Sequence, residues 1–237
     1  MKYIFIATCS LLFSCKDRPQ QVSLEKINAD DTLAAVSQIF TDRPTILDTS
    51  GMVLYPLIFE NGDDYKFGSS GGGRSTYWNI LFYDTKTAHQ HLLVTGKKVL
   101  FRSITEHSSS SEWETNQYDA YKDYIMYTGV TLDYNGDKQL NDKDPAYLFL
   151  SDREGNHFRQ LSPDGYDITG WDVVPSTSKI IMQAQRDVNG DKKFDRDDPV
   201  IPLIADWRQE AKGQEILSPA ILQSLQQELL QSWKGVK

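Results

Sequence analysis

Oxygen-bearing side chains recur in this chain at a spacing suited to gripping a hard cation. Asp133, Asn135, Asp137, Asn141 and Asp144 stand at positions one, three, five, nine and twelve of a run that begins at Asp133. Asp187, Asn189, Asp191, Asp195 and Asp198 stand at the same positions of a second run. Carboxylates and amides placed in this way send their oxygens to one side of a tight loop, and calcium takes about six to eight such oxygens. The main-chain carbonyls of Gln139 and Lys193 fall at position seven, where a twelve-residue calcium loop draws a backbone ligand. Calcium is therefore the cofactor that the spacing implies, with these residues as its candidate ligands.

The pattern D-x-N-G-D followed by [ND]-x-x-D resembles the calcium loops of dockerins, which end in Asp where an EF-hand usually has Glu. Two departures bear on what the resemblance implies. Position six, usually Gly, is Lys138 in one copy and Lys192 in the other. A left-handed residue with a side chain costs about 1–2 kcal/mol there. Pro145 and Pro199 follow position twelve, where they disfavour an exit helix. The expectation is thus a pair of calcium loops built into strand connections, not helix–loop–helix hands, which weakens any cohesin-binding role. Without the ion the converging carboxylates repel and the connection should loosen. Affinity is expected at about 10⁻⁴–10⁻³ M, the range of extracellular modules.

The elements that must hold these loops are strands, and they are duplicated. Asp133 and Asp187 are 54 residues apart, as are Asp152 and Asp206. The segments Tyr124–Thr131 and Lys179–Gln185 precede the loops, and Ala146–Asp152 and Val200–Asp206 follow them. Tyr77–Asp84 is a third strand ending in Asp. Each unit reads strand, acidic loop, strand, turn, strand, which marks an internal repeat. The stretches Trp171–Ser176 with Lys179–Ile181, and Gln160–Pro163, resemble the blade repeats of TolB-like and WD40-like β-propellers over roughly residues 77–217. That resemblance implies a mainly β fold of antiparallel, propeller-like blades. A blade takes ~40–45 residues, which limits the chain to about four or five and leaves a partial or open ring as compatible as a closed one.

A short N-terminal helix is expected from Asp30 towards Pro44, with Leu33, Val36, Ile39 and Phe40 on one face. A C-terminal helix is expected over 218–237. Ser218 is its N-cap and Pro219 its first residue, with Leu222, Leu225, Leu229 and Trp233 on one face that would cover a sheet edge.

The first residues have the pattern of an export signal. Lys2 precedes an apolar stretch, Ile4–Phe13, that is too short to span a bilayer and stops at Ser14-Cys15. This resembles a bacterial lipobox, which implies a signal peptide over 1–14 and a lipid on Cys15. Residues 15–29 read as a polar tether, 30–217 as the β domain with its two calcium loops, and 218–237 as the helix. Cys9 lies in the removed segment, so no disulfide framework is expected. The resemblance implies a lipid-anchored protein of the cell envelope, most simply the outer membrane of a Gram-negative bacterium.

The chain has 237 residues and a formal net charge of −8. An acidic chain without a basic cluster argues against nucleic acid as a partner and favours divalent cations. Other motifs carry less. Gly68-Ser69-Ser70-Gly71-Gly72 matches G-x-S-x-G, but glycines and a strand-like segment follow where a nucleophile elbow needs a helix. His89 and His91 share a strand face, while His107 and His157 stand alone. Residues 102–123 read as an insertion, with Trp113, Tyr118, Tyr121 and Tyr124 covering a sheet face or meeting a sugar ring or a partner. The leading expectation is a non-enzymatic, lipid-anchored, calcium-binding structural or binding module with a protein or glycan partner. The alternatives are a calcium-dependent propeller hydrolase of phosphoesters or glycosides, and a glycan-binding surface lipoprotein.

Overall fold

The computed structural model describes residues 39–47, 50–58, 76–105 and 122–233, all within one unit, Gln38–Lys237. The signal segment 1–14, Cys15, the tether and residues 30–38 of the expected helix lie outside the described residues. So do the G-x-S-x-G stretch, His107, and Trp113, Tyr118 and Tyr121.

Among the described residues the chain is mainly β, with antiparallel sheets formed in sequence order. The first contains β1 (Phe40–Thr41), β2 (Thr45–Leu47), β3 (Met52–Ile58), β4 (Asn79–Asp84) and β5 (Gln90–Leu92), ordered β1-β3-β4-β5 with β2 also on β3. The second runs β6 (Leu100–Thr105), β7 (Tyr124–Val130), β8 (Tyr147–Asp152) and β9 (Arg159–Gln160). The third runs β10 (Asp167–Val173), β11 (Lys179–Gln185), β12 (Val200–Asp206) and β13 (Gln214–Glu215). The second and third sheets are built alike, down to a register shift between their first two strands, at Arg102 and at Thr169.

Strand alternation explains how the sheets share a core. Successive side chains point to opposite faces. In the second sheet Ile125, Tyr127, Tyr147 and Phe149 join a buried cluster with Leu47, Leu54, Ile80 and Phe82 of the first. Their neighbours Met126, Leu148 and Leu150 join another with Ile180, Met182, Leu203 and Trp207 from the third sheet and its flank. The middle sheet is therefore buried on both faces, and β8 reads as a continuous apolar run for that reason. In β11 Ile180, Met182 and Ala184 are buried while Ile181 and Gln183 between them are exposed.

The strand-ending aspartates have a local role. Asp84, Asp152 and Asp206 each accept a backbone N–H from the following turn, from Lys86 (2.8 Å), Asn156 (2.6 Å) and Arg208 (3.0 Å). Gly155, in the β8–β9 turn, has φ 78°. A Cβ there would fall 2.6 Å from the Phe82 ring, so glycine is what lets the first two sheets approach.

Three expectations need correction. Phe40 and Thr41 are strand, paired with Ile58 and Leu57, because main-chain pairing to β3 outweighs a weak helical pattern. Arg102–Thr105 belong to β6 and not to an insertion, since Ser103, Ile104 and Thr105 pair with Thr128, Tyr127 and Met126. The C-terminal helix α1 (Pro219–Ser232) forms as expected, with Ser218 accepting the Ile221 N–H. It covers no sheet edge among the described residues: none of its residues is buried, and Leu229 is 60% exposed.

Candidate functional site

The two acidic runs are the β7–β8 and β11–β12 connections, so they lie at the same end of neighbouring, equivalent strand pairs. Local hydrogen bonds shape each run, and the two sets match. Asp133 accepts the N–H groups of Gly136 (2.7 Å) and Lys138 (2.8 Å), one on each carboxylate oxygen. Asp187 does the same with Gly190 (2.6 Å) and Lys192 (3.0 Å). Asn135 and Asn189 accept from Asp137 and Asp191, which in turn accept from Gln139 and Lys193. Asn141 and Asp195 accept from Lys143 and Asp197.

This winding demands left-handed backbone at positions four and six. Gly136 and Gly190 supply it at φ 79° and 77°, and Lys138 and Lys192 adopt it at 67° and 64°. The lysines meet the expected cost of about 1–2 kcal/mol each, and their N–H bonds to Asp133 and Asp187 offset part of it.

Position twelve closes each loop. Asp144 and Asp198 are 1% and 4% exposed. Asp144 accepts from the N–H of Tyr134 (2.9 Å) and Asn141 (3.0 Å), and Asp198 from Val188 (3.1 Å) and Asp195 (3.3 Å). Pro145 and Pro199 then lead into β8 and β12, so no exit helix follows either loop.

The side chains gather unevenly. In the first loop the amides of Asn135 and Asn141 both donate to Asp137 Oδ2 at 3.3 Å, which brings positions three, five and nine together. In the second loop position nine is the carboxylate of Asp195, which has no amide N–H to donate. Among the described residues no three His, Cys, Asp or Glu side chains form a group that could hold a metal. The loop oxygens are instead turned to the loops' own N–H groups. A carboxylate offers roughly four acceptor positions, so the N–H bonds leave lone pairs over. The donor set, carboxylates with amide and main-chain oxygens, fits a hard divalent cation.

Hydrogen bonding sets the charge on these groups. The Gln139 N–H leads the contacts that hold the Asp137 carboxyl below the usual range. Burial pushes Asp187 up, but N–H groups of Gly190 and Lys192 and the Tyr134 hydroxyl outweigh it, so its carboxyl also sits low. Both stay ionised at neutral pH, as a cation ligand must.

Several residues that spacing did not single out hold the site together. The Arg102 guanidinium donates through Nη2 to the carbonyls of Asn141 (3.1 Å) and Asp144 (3.0 Å) beneath the first loop. Burial lowers its pKa against the opposing charges of Asp167, Asp142 and Asp144. Gln185 does the corresponding work in the second loop, reaching the Asp195 carbonyl at 2.6 Å. Tyr134 joins the loops: its hydroxyl donates to Asp187 Oδ2 (3.1 Å) and its ring lies 5.2 Å from that of Phe194.

No protein-family model matches the chain, and no curated protein or solved structure does either. The site therefore stands on its own geometry. His89 and His91 do stack, with centroids 5.9 Å apart, and His91 also stacks on Phe82. His157 sits apart in the β8–β9 turn at φ 58°.

Proposed function

We propose that this chain is a lipid-anchored protein of the cell envelope whose β domain binds calcium through the loops at 133–144 and 187–198. One observation carries the calcium reading. Two stretches 54 residues apart repeat one hydrogen-bond lattice, including a left-handed lysine at position six that a solvated polar turn does not require. Asp133, Asn135, Asp137, Asn141 and Asp144, with the Gln139 carbonyl, would hold one ion. Asp187, Asn189, Asp191, Asp195 and Asp198, with the Lys193 carbonyl, would hold the other. Bound calcium cancels the repulsion among these carboxylates and ties the ends of paired strands together.

The three sheets are read as blades of an open or partial propeller. Consecutive antiparallel meanders stacked face to face support this. Such a domain, held off a membrane by a lipid on Cys15 and a polar tether, serves as a binding or structural module for a protein or glycan partner.

The test is calorimetric titration of calcium into the full chain in detergent, with thermal unfolding in calcium and in chelator. Two sites and a chelator-sensitive melt are expected; a flat titration with superimposed melts refutes the calcium reading. Mass spectrometry of the processed chain that finds no added lipid mass on Cys15 refutes the lipid anchor.

A further inference from the structure

We propose that the two loops take up calcium as a coupled pair and that Tyr134 is the positioning residue that carries the coupling. This rests on the calcium reading above and adds to it a dependence of one site on the other. Tyr134 belongs to both loops at once. Its backbone N–H donates to Asp144 Oδ1, on the residue that closes the first loop. Its side-chain hydroxyl donates to Asp187 Oδ2, on the residue that opens the second. A single residue thus runs from the last candidate ligand of one ion to the first candidate ligand of the other.

Two further contacts brace this link. The Tyr134 ring packs against Phe194, which lies between Asp191 and Asp195 in the second loop. The Lys192 ammonium reaches back over the first loop, 3.9 Å from where a Cβ on Gly136 would stand. A cation between two anionic loops lowers their mutual repulsion before any calcium arrives.

Ordering sets the sign of the coupling. Each ion must fix the side chains that ligate it, and a second ion that finds shared groups already fixed binds more tightly. Filling the first loop fixes Asp144 and with it the Tyr134 backbone, which places the phenol on Asp187. Repulsion between the two ions opposes this. Physiological salt screens it over a Debye length of about 8 Å, and each loop carries a formal charge of −2 once its lysines and arginine are counted, so a filled loop is formally neutral. Coupling between sites commonly amounts to about 5–150-fold in affinity, and the low end is expected for exposed loops.

The experiment is a double-mutant cycle read by calcium titration of the full chain in detergent. Asp137→Ala disables the first loop without touching Tyr134, Asp144 or Asp187, and Asp191→Ala identifies the isotherm of the second. Asp137→Ala is expected to weaken the second site about five-fold. Tyr134→Phe, which removes one oxygen and keeps the ring on Phe194, is expected to weaken it similarly when the first loop is intact. In the Asp137→Ala background the same change should matter by less than about two-fold. Equal effects of Tyr134→Phe in both backgrounds, or an unchanged second site in Asp137→Ala, overturn the coupling while the calcium reading stands. Absence of binding in the wild-type chain refutes that reading and this inference with it. Far-UV circular dichroism and the melt in chelator establish that each variant is folded.

Discussion

The buried carboxylate at the end of the second loop offers a test in which geometry and ion binding separate. Asp198 is 4% exposed and accepts two backbone N–H groups, from Val188 and Asp195, on different oxygens. Asp198→Asn keeps the shape but leaves one acceptor oxygen, so one of those N–H groups faces an amide NH₂. An unsatisfied buried donor costs about 1–3 kcal/mol, and that loss should appear in chelator. Calcium adds a second term. At about 10 mM calcium and a Kd of about 10⁻⁴–10⁻³ M, a filled site stabilises the fold by roughly 1.4–2.7 kcal/mol. Losing the closing ligand removes that contribution at the second loop. Asp198→Asn should therefore cost about 1–3 kcal/mol in chelator and about 2–6 kcal/mol in calcium. Urea unfolding followed by tryptophan fluorescence under both conditions measures the two losses. Equal losses in calcium and chelator would refute ion binding at this loop. No loss in chelator would refute the buried hydrogen-bond lattice itself.

Other expectations do not depend on calcium. Gly155→Ala places a methyl against the Phe82 ring in left-handed backbone, and urea unfolding should show a loss of about 2–5 kcal/mol. The Tyr77 phenol is pushed up to about 12 by burial and then by its hydrogen bond to Asp42. Its protonated form therefore stabilises the fold fully below pH 10, and that contribution disappears as pH rises from about 10 through about 12. Tyr77→Phe should remove this alkaline dependence from the unfolding free energy; a slope unchanged by the substitution would contradict the assignment. Truncation after Leu217 should leave the unfolding free energy of the β domain in urea within about 0.5 kcal/mol of the intact chain, because no residue of α1 is buried. A larger loss would show that the helix packs on the domain in solution.

The strands, their order within each repeat and the left-handed backbone at position six of the acidic loops were legible from residue order, and the reason is range. The apolar runs of β7, β8 and β12 and the alternation of β11 are properties of neighbouring residues. The bonds from Asp133 to Gly136 and Lys138, and from Asp187 to Gly190 and Lys192, close over three and five residues. Such contacts need only neighbours a few residues away. The capping of α1 by Ser218 and Pro219 is local in the same sense.

What residue order left open depends on groups far apart in the chain. The pairing of Phe40 with Ile58 turned the end of an apparent helix into strand. Arg102 reaches the first loop across 39 and 42 residues, and Tyr134 reaches Asp187 across 53. No local pattern announces these contacts: Arg102 meets the first loop only once β6 pairs with β7, and Tyr134 meets Asp187 only once the second and third sheets bring the two loops side by side. The exposure of the Leu225 and Leu229 face was equally hidden. An amphipathic stripe records that a helix has an apolar side, and only the placement of the sheets decides whether anything lies against it.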